Sequence, residues 1–520
     1  MNTDLIGLIP KPQTISFRSE PCVLSQDDTL SARGDGAAAV AELLADYLRP
    51  STGYAWPVLD GDGGIIALES DGPALPDDAG FVDERYRLTV DARCVRLRAP
   101  NATGLARGIQ TLRQLLPPAI LAATPRQEEW IVPGIEIEDY PRFRWRGQHL
   151  DVARHFFSVE DVCRFIDLLA FHRLNVCHLH LTEDQGWRIE IKAHPRLTEV
   201  GSRREETLIG HESERPRRYD GRPYGGFYTR EDIRRIVAFA ERRHIVLVPE
   251  IDMPGHMMAA IAAYPELGNR GERIGVRCHW GISQNVLNVE ASTIEFMKTV
   301  LTEVMDLFPG RFIHIGGDEA PKHEWSESKR AQERMAELGL ANENELQSWF
   351  IRQMNEHIRA AGRRLIGWDE TLEGGLADGA AVMSWRGEEG GLAATSQGHD
   401  VVMAANAWTY FDHYQAEPKR EEPLAIGGIL TTEHVYASDP IPAAMPETHR
   451  RHVLGAQGQL WSEYITSRDH LDYMGFPRIS ALSEVLWLEP GRRNYVNFLA
   501  RLGRHRRGLD VLGVKAHPRP

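Results

Sequence analysis

The stretch RFIHIGGDEAPKHEW, residues 311–325, carries an apolar run into two glycines and then into an acidic pair, Asp318 and Glu319. The run has the length and residue types of a strand buried on both faces. Strand side chains alternate faces, so two neighbouring carboxylates reach one pocket only where the backbone leaves the regular ladder. Gly316 and Gly317 permit that departure, because glycine adopts backbone conformations that side chains forbid. Two readings of the acidic pair follow. It caps the next helix, or it is a catalytic acid with a helper whose negative charge keeps the acid protonated near neutral pH.

Runs of the same texture recur on both sides. RWRGQHLDVA (144–153), LNVCHLHLTED (174–184), HIVLVPEID (244–252), RFIHIGGDE (311–319), RRLIGWDE (363–370), AVMSWRG (381–387), DVVMAAN (400–406) and VLGAQGQLWSE (453–463) make eight. Amphipathic patterns lie between several of them, such as VEDVCRFIDLLAFHR, TREDIRRIVAFAERR and ASTIEFMKTVLTEVMDLF. Repeated strand–helix units in this number predict an α/β architecture, a (β/α)8 TIM barrel over residues 141–520 that finishes in C-terminal helices. Segments 201–228 and 412–450 read as insertions. Residues 1–140 have a different texture. Strand-like runs (GIIALES, YRLTVDARCVRLRAP) alternate with helical ones (AAAVAELLADYL, TGLARGIQTLRQLL), which predicts a small α+β domain joined to the barrel through IEDYPRFRWRG.

Composition limits the function. The 520-residue chain is 42% hydrophobic and 26% charged, with a formal net charge of -14, which argues against nucleic acid or an anionic membrane as partner. No apolar run is long enough to span a bilayer. MNTDLIGLIPKPQ has neither a basic nor an apolar leader region. Cys22, Cys94, Cys163, Cys177 and Cys278 are scattered without CxxC spacing, which fits reduced thiols and a cytoplasmic location. The Asn101-Ala-Thr103 sequon is then read as chance.

Barrel enzymes place their chemistry at the C-terminal ends of the strands. The residues closing the eight runs are Arg154, Glu183-Asp184, Asp252, Asp318-Glu319, Trp368-Asp369, Trp385, Asn406 and Trp461 with Glu463. Carboxylates beside indoles suit a sugar, whose C–H faces stack and whose hydroxyls hydrogen-bond. Each residue also has a plainer reading: Arg154 as a salt bridge, His256 as a helix-start histidine, the tryptophans as core. A rival chemistry is a zinc hydrolase built on His178 and His180, with His256, His314 and Asp318 as further ligands.

HIGGDE, with LDVARHFF (150–157), HLHLTEDQGWR (178–188), EIDMPGH (250–256), GWDE (367–370), SWRG (384–387) and LWSE (460–463), resembles glycoside hydrolase family 20, the β-N-acetylhexosaminidases. IPKPQ and GLARGIQTLRQLL are similar to the non-catalytic domain that precedes the barrel there. The resemblance implies an exo-acting, retaining enzyme in which the substrate's own 2-acetamido oxygen attacks the anomeric carbon and forms an oxazolinium-type intermediate. It implies that Glu319 is general acid and then base, and that Asp318 orients the acetamido group. Arg154 would fork onto O3 and O4 with Glu183 as its partner, at a position where the family often carries aspartate. Trp368, Trp385 and Trp461 would wall the site, Tyr410 would aim the nucleophile, and Asp412 and Glu463 would hold hydroxyls. Asp252 and His256 would stand behind Glu319 and tune it. In the family the HxH is packed without a metal, so neither metal nor cofactor is expected. The substrate would be a glycan ending in β-linked GlcNAc or GalNAc, such as a chitin fragment. A lacto-N-biosidase-like specificity is the alternative within the family, and a homodimer formed through the barrel loops is the partner expectation. A non-catalytic sugar binder is disfavoured by the intact acidic pair.

Overall fold

The computed structural model describes residues 7–18 and 20–520. Residues 1–6 of the segment read as lacking a leader lie outside the described residues.

The N-terminal part is a seven-stranded mixed sheet in the spatial order 14–17, 135–139, 86–90, 95–99, 66–70, 30–33 and 58–60. Helices Ala37–Thr52 and Ala102–Leu115 pack on it. YRLTVDARCVRLRAP forms an antiparallel hairpin, Tyr86–Val90 against Val95–Ala99, and GIIALES contributes Ile66–Ser70. The joint to the barrel is polar. Asp139 accepts from the Trp487 indole at 2.8 Å and pairs with Arg173 at 2.6 Å, with both charged side chains fully buried. Glu84 binds Arg107 at 2.8 Å and also pairs with Arg146 of the first barrel strand. Removing one member of such a pair would strand its partner in a dry environment.

All eight expected runs are strands of one closed parallel barrel: β1 (Trp145–Asp151), β2 (Val176–His180), β3 (Val246–Glu250), β4 (Phe312–His314), β5 (Arg364–Trp368), β6 (Ala381–Ser384), β7 (Val401–Met403) and β8 (Val453–Gly458). The helices expected after β1, β2 and β3 are α1 (Val159–Phe171), α2 (Arg230–Glu241) and α3 (Ala291–Leu307). Capping boxes start two of them, Ser158 with Asp161 and Thr229 with Asp232.

The period-2 alternation of the strands separates two cores. Outward residues such as Cys177, Leu179, Leu247, Ile313 and Leu365 pack beneath the helices. Trp145, Val176, Val248, Phe312, Ile366, Met383 and Leu454 fill the barrel interior, and Phe81 of the N-terminal part stops its lower end. Two residues further along β2 to β5, the same inward face carries His178, Glu250, His314 and Trp368, with His149 of β1 in register beside His178, all buried. The interior thus turns from apolar to polar one layer below the open end.

Candidate active site

The strand in 311–325 ends at His314, and the chain then turns through Gly316 (φ 64°), Gly317 (φ 89°) and Glu319 (φ 43°). This left-handed passage breaks the alternation and brings Asp318 and Glu319 to the same cavity. Glycine is required at both positions. A Cβ on Gly316 would lie 1.7 Å from Asp252 Oδ1, and one on Gly317 would lie 2.7 Å from Thr371 Cγ2. The next helix begins at His323 with Lys322 as its cap residue, so the acidic pair does not cap it.

The cavity has a volume of about 640 Å³ and opens at the C-terminal end of the barrel. It brings together Arg154, Glu183, Asp252, His256, Asp318, Glu319, Trp385, Asn406, Tyr410, Asp412, Trp461 and Glu463, contributed by seven of the eight strand ends and the loops beyond them. Trp368 does not line it. Its ring is buried one layer deeper, packed 5.8 Å from Trp461 and 4.8 Å from His314, and its indole donates to Glu250 at 2.9 Å. It supports the floor instead of walling the site.

Glu183 stands on a tight hairpin, Thr182–Glu183 against Gly186–Trp187, and links both halves of the site. Its Oε1 lies 2.6 Å from Arg154 and 2.5 Å from His256 Nδ1. Burial alone would raise the Glu183 pKa, but these two cations hold it down to about 2. His256 is held well above the usual histidine range: burial opposes its charge, and Glu183 and Glu319 more than compensate. Its Nε2 points at the acidic pair, 3.5 Å from Glu319 and 3.8 Å from Asp318. Arg154 is further held by Asp151 at 3.2 Å and lies over the Trp461 ring at 5.0 Å. Its guanidinium is thereby fixed at the cavity wall with donors to spare.

Asp318 is pushed well above the carboxylate range by burial and then by Asp252, with Glu370 and Glu319 adding to the effect. Its Oδ1 is buried without a hydrogen-bond partner. Asp252, raised to about 6 by burial and by Glu250 against the pull of His256, accepts the Gly317 amide at 3.0 Å and so fixes the turn that presents the pair. Asp412 and Glu463 are both raised, first by burial. Trp385 stacks on Tyr410 at 6.1 Å and donates to Glu370 at 2.8 Å.

Four functional positions escape reading from sequence. Glu250, Asp151 and Glu370 sit inside quoted runs at strand ends, yet nothing in the sequence separates a carboxylate that contacts substrate from one that braces another side chain. Asn406 reads in the sequence only as a strand-closing residue, and it lines the cavity.

The histidines of the HxH pair face inward, as alternation requires. His178 receives the Gln457 amide on Nδ1 at 2.9 Å and turns Nε2 to Glu250 at 3.0 Å; His180 Nδ1 pairs with Glu250 at 2.6 Å. His149, His178 and Glu250 lie close enough together to hold a metal ion, as do Glu183, Asp184 and His256, and Asp252, His256 and Asp318.

Residues 143–490 match the glycosyl hydrolase family 20 catalytic domain, and residues 5–140 match domain 2 of that family. The chain belongs to glycosyl hydrolase family 20. Among family 20 relatives, a β-hexosaminidase of Porphyromonas gingivalis is 43% identical over 517 residues, covering 98% of this chain and 64% of that protein. The chain therefore spans about two thirds of that relative's length. A family 20 β-N-acetylhexosaminidase structure from Streptomyces coelicolor superposes with a TM-score of 0.84 at 32% identity, covering 99% of this chain and 98% of that one. A mutant Streptomyces plicatus β-hexosaminidase in complex with its product GlcNAc gives 0.85 at 32%, covering 99% and 97%. Family 20 membership agrees with the barrel, the preceding domain and the acidic pair at the end of β4.

Proposed function

We propose that the chain is an exo-acting, retaining β-N-acetylhexosaminidase that uses the 2-acetamido group of its substrate as nucleophile. The observation that carries this reading is the placement of Asp318 and Glu319 side by side on a left-handed turn, facing a cavity walled by Trp385, Tyr410 and Trp461. The leaving oxygen and the acetamido group hang from adjacent sugar carbons, so their two protein partners must also be adjacent. Glu319, its side chain one-third exposed, protonates the leaving oxygen and later takes a proton from water. Asp318 has a buried, unpartnered oxygen for the acetamido N–H. In the empty site its anion is poorly stabilised. A positive charge developing beside it in the transition state is therefore worth more there than in water. Tyr410 directs the carbonyl oxygen, and Trp385 covers the methyl. Arg154, Asp412 and Glu463 take the ring hydroxyls.

Chitin fragments and other short glycans ending in β-GlcNAc or β-GalNAc suit a cavity closed at the barrel floor. A cytoplasmic location is supported by five free cysteines, and pairing of two copies through the loops belongs to the same reading. The test is steady-state hydrolysis of the phenyl β-glycosides of GlcNAc, GalNAc and glucose, with and without a chelator. Chelator-insensitive turnover that requires the acetamido group is expected. Equal turnover of the glucoside would refute substrate assistance.

A further inference from the structure

Glu250 ends β3 inside the barrel, one layer below the substrate cavity, and gathers nitrogens from three other strands. His178 Nε2 lies 3.0 Å from it, His180 Nδ1 2.6 Å, His314 Nδ1 3.1 Å and the Trp368 indole 2.9 Å. Beside this group stands His149 of β1, its ring centroid 5.0 Å from that of His178. His149 is fully buried, and among the described residues neither of its nitrogens has a hydrogen-bond partner. An imidazole buried with both nitrogens unpaired is costly and calls for a ligand. One atom each of His149, His178 and Glu250 lies within 4.8 Å of the other two. The 3.0 Å between His178 Nε2 and Glu250 approaches the edge of a tetrahedron, about 3.3 Å, for metal bonds of about 2.0 Å. Burial keeps both imidazoles neutral, the form that ligates.

We propose that His149, His178 and Glu250 form a structural site for one divalent cation of the zinc class, beneath the floor of the substrate cavity. Two imidazoles and a carboxylate are a zinc donor set, with a second Glu250 oxygen or a water as fourth ligand. His180, His314 and the Trp368 indole hold the carboxylate from behind and orient it. Binding requires one proton shift, from His178 Nε2 to Nδ1. Nδ1 accepts from the Gln457 amide at 2.9 Å, and rotation of that amide presents Oε1 to take the proton instead. The ion lies outside the chemistry of the cavity, which none of its three ligands lines. It ties β1 to β2 and β3 where the Trp461 ring rests on His149 at 4.3 Å. His149 belongs to neither of the other two possible ligand groups, both of which share His256.

The test is metal content. Wild type, His149→Leu and His149→Gln are produced in zinc-supplemented medium, dialysed in the folded state against EDTA and then against metal-free buffer, and assayed for zinc by mass spectrometry. EDTA strips ions from the solvent-open cavity, whereas an ion beneath its floor is released only on unfolding. The expected result is about one zinc per wild-type chain, released by EDTA in urea, and at least about tenfold less in both variants. His149→Leu also removes two unpaired nitrogens from a buried layer, so it should fold with or without an ion. Circular dichroism checks this, and His149→Gln serves where the leucine variant does not fold. Less than about half a zinc per wild-type chain, or zinc retained in either folded variant, overturns the proposal.

Discussion

Glu183 Oε1 lies 2.5 Å from His256 Nδ1, while the opposite nitrogen of the same imidazole lies 3.5 Å from Glu319. One carboxylate thus fixes the charge of the histidine behind the acidic pair and, at 2.6 Å, the guanidinium of Arg154 across the cavity. The extra methylene of glutamate, at a position where aspartate would have a shorter reach, spans both contacts from the 182–187 hairpin.

Glu183→Gln should cost about 3–5 kcal/mol at pH 7, since it leaves buried Arg154 and His256 short of a counter-charge. The sign with pH follows from the Glu183 pKa of about 2. A depressed carboxyl contributes stability above its ordinary value near 4.5 and loses it as pH falls toward 2. The gap between wild type and variant in urea midpoints should therefore narrow below pH 4. A gap that stays constant from pH 7 to pH 3 would exclude the ionic account.

Asp252 acts in the opposite direction. Its pKa is raised to about 6, so its contribution is full below its ordinary value near 4 and is lost as pH rises through 6. Asp252→Asn keeps an acceptor for the Gly317 amide and removes the titration. The variant should gain thermal stability relative to wild type between pH 4 and pH 8. If the two melting curves ran parallel over that range, the burial of an Asp252 anion would not be a cost.

Gly316→Ala should be severe for so small a change. It puts a side chain at φ 64° and drives a Cβ into the Asp252 carboxylate. The left-handed penalty and the overpacking together amount to about 2–5 kcal/mol. The displaced turn should also abolish hydrolysis in the fraction that remains folded. Full activity in a folded Gly316→Ala protein would show that the turn does not set the geometry of the pair.

The barrel was legible because parallel strands buried on both faces read as apolar runs, and all eight did. The rim was legible for a related reason: polar residues that end apolar runs have few places to go. Depth was not legible. Trp368 and Trp385 end neighbouring runs and look alike in sequence, yet Trp368 points down to Glu250 while Trp385 turns outward over Tyr410. The difference lies in where each strand stops relative to the barrel floor. Glu250 was hidden for the converse reason. A carboxylate inside VLVPEID gains meaning only when two other strands bring His178, His180 and Trp368 to it.

The division of labour between Glu319 and Asp318 predicts different dependences on substrate. A general acid matters in proportion to how badly the leaving group needs a proton, whereas a group that stabilises the oxazolinium matters whatever departs. Glu319→Gln should lower kcat/KM for chitobiose by about 10²–10⁴. It should cost far less for the 2,4-dinitrophenyl glycoside of GlcNAc, whose phenolate leaves unprotonated. Asp318→Asn should lower both by similar factors, about 10²–10³, because the amide no longer supplies a charge to the acetamido nitrogen. His256 lies 3.5 Å from Glu319 and 3.8 Å from Asp318, so its charge acts on both. Brønsted plots of log kcat/KM against leaving-group pKa for wild type and both variants would decide the matter. A steeper slope for Glu319→Gln with a parallel offset for Asp318→Asn is expected, and the reverse pattern would exchange the two roles.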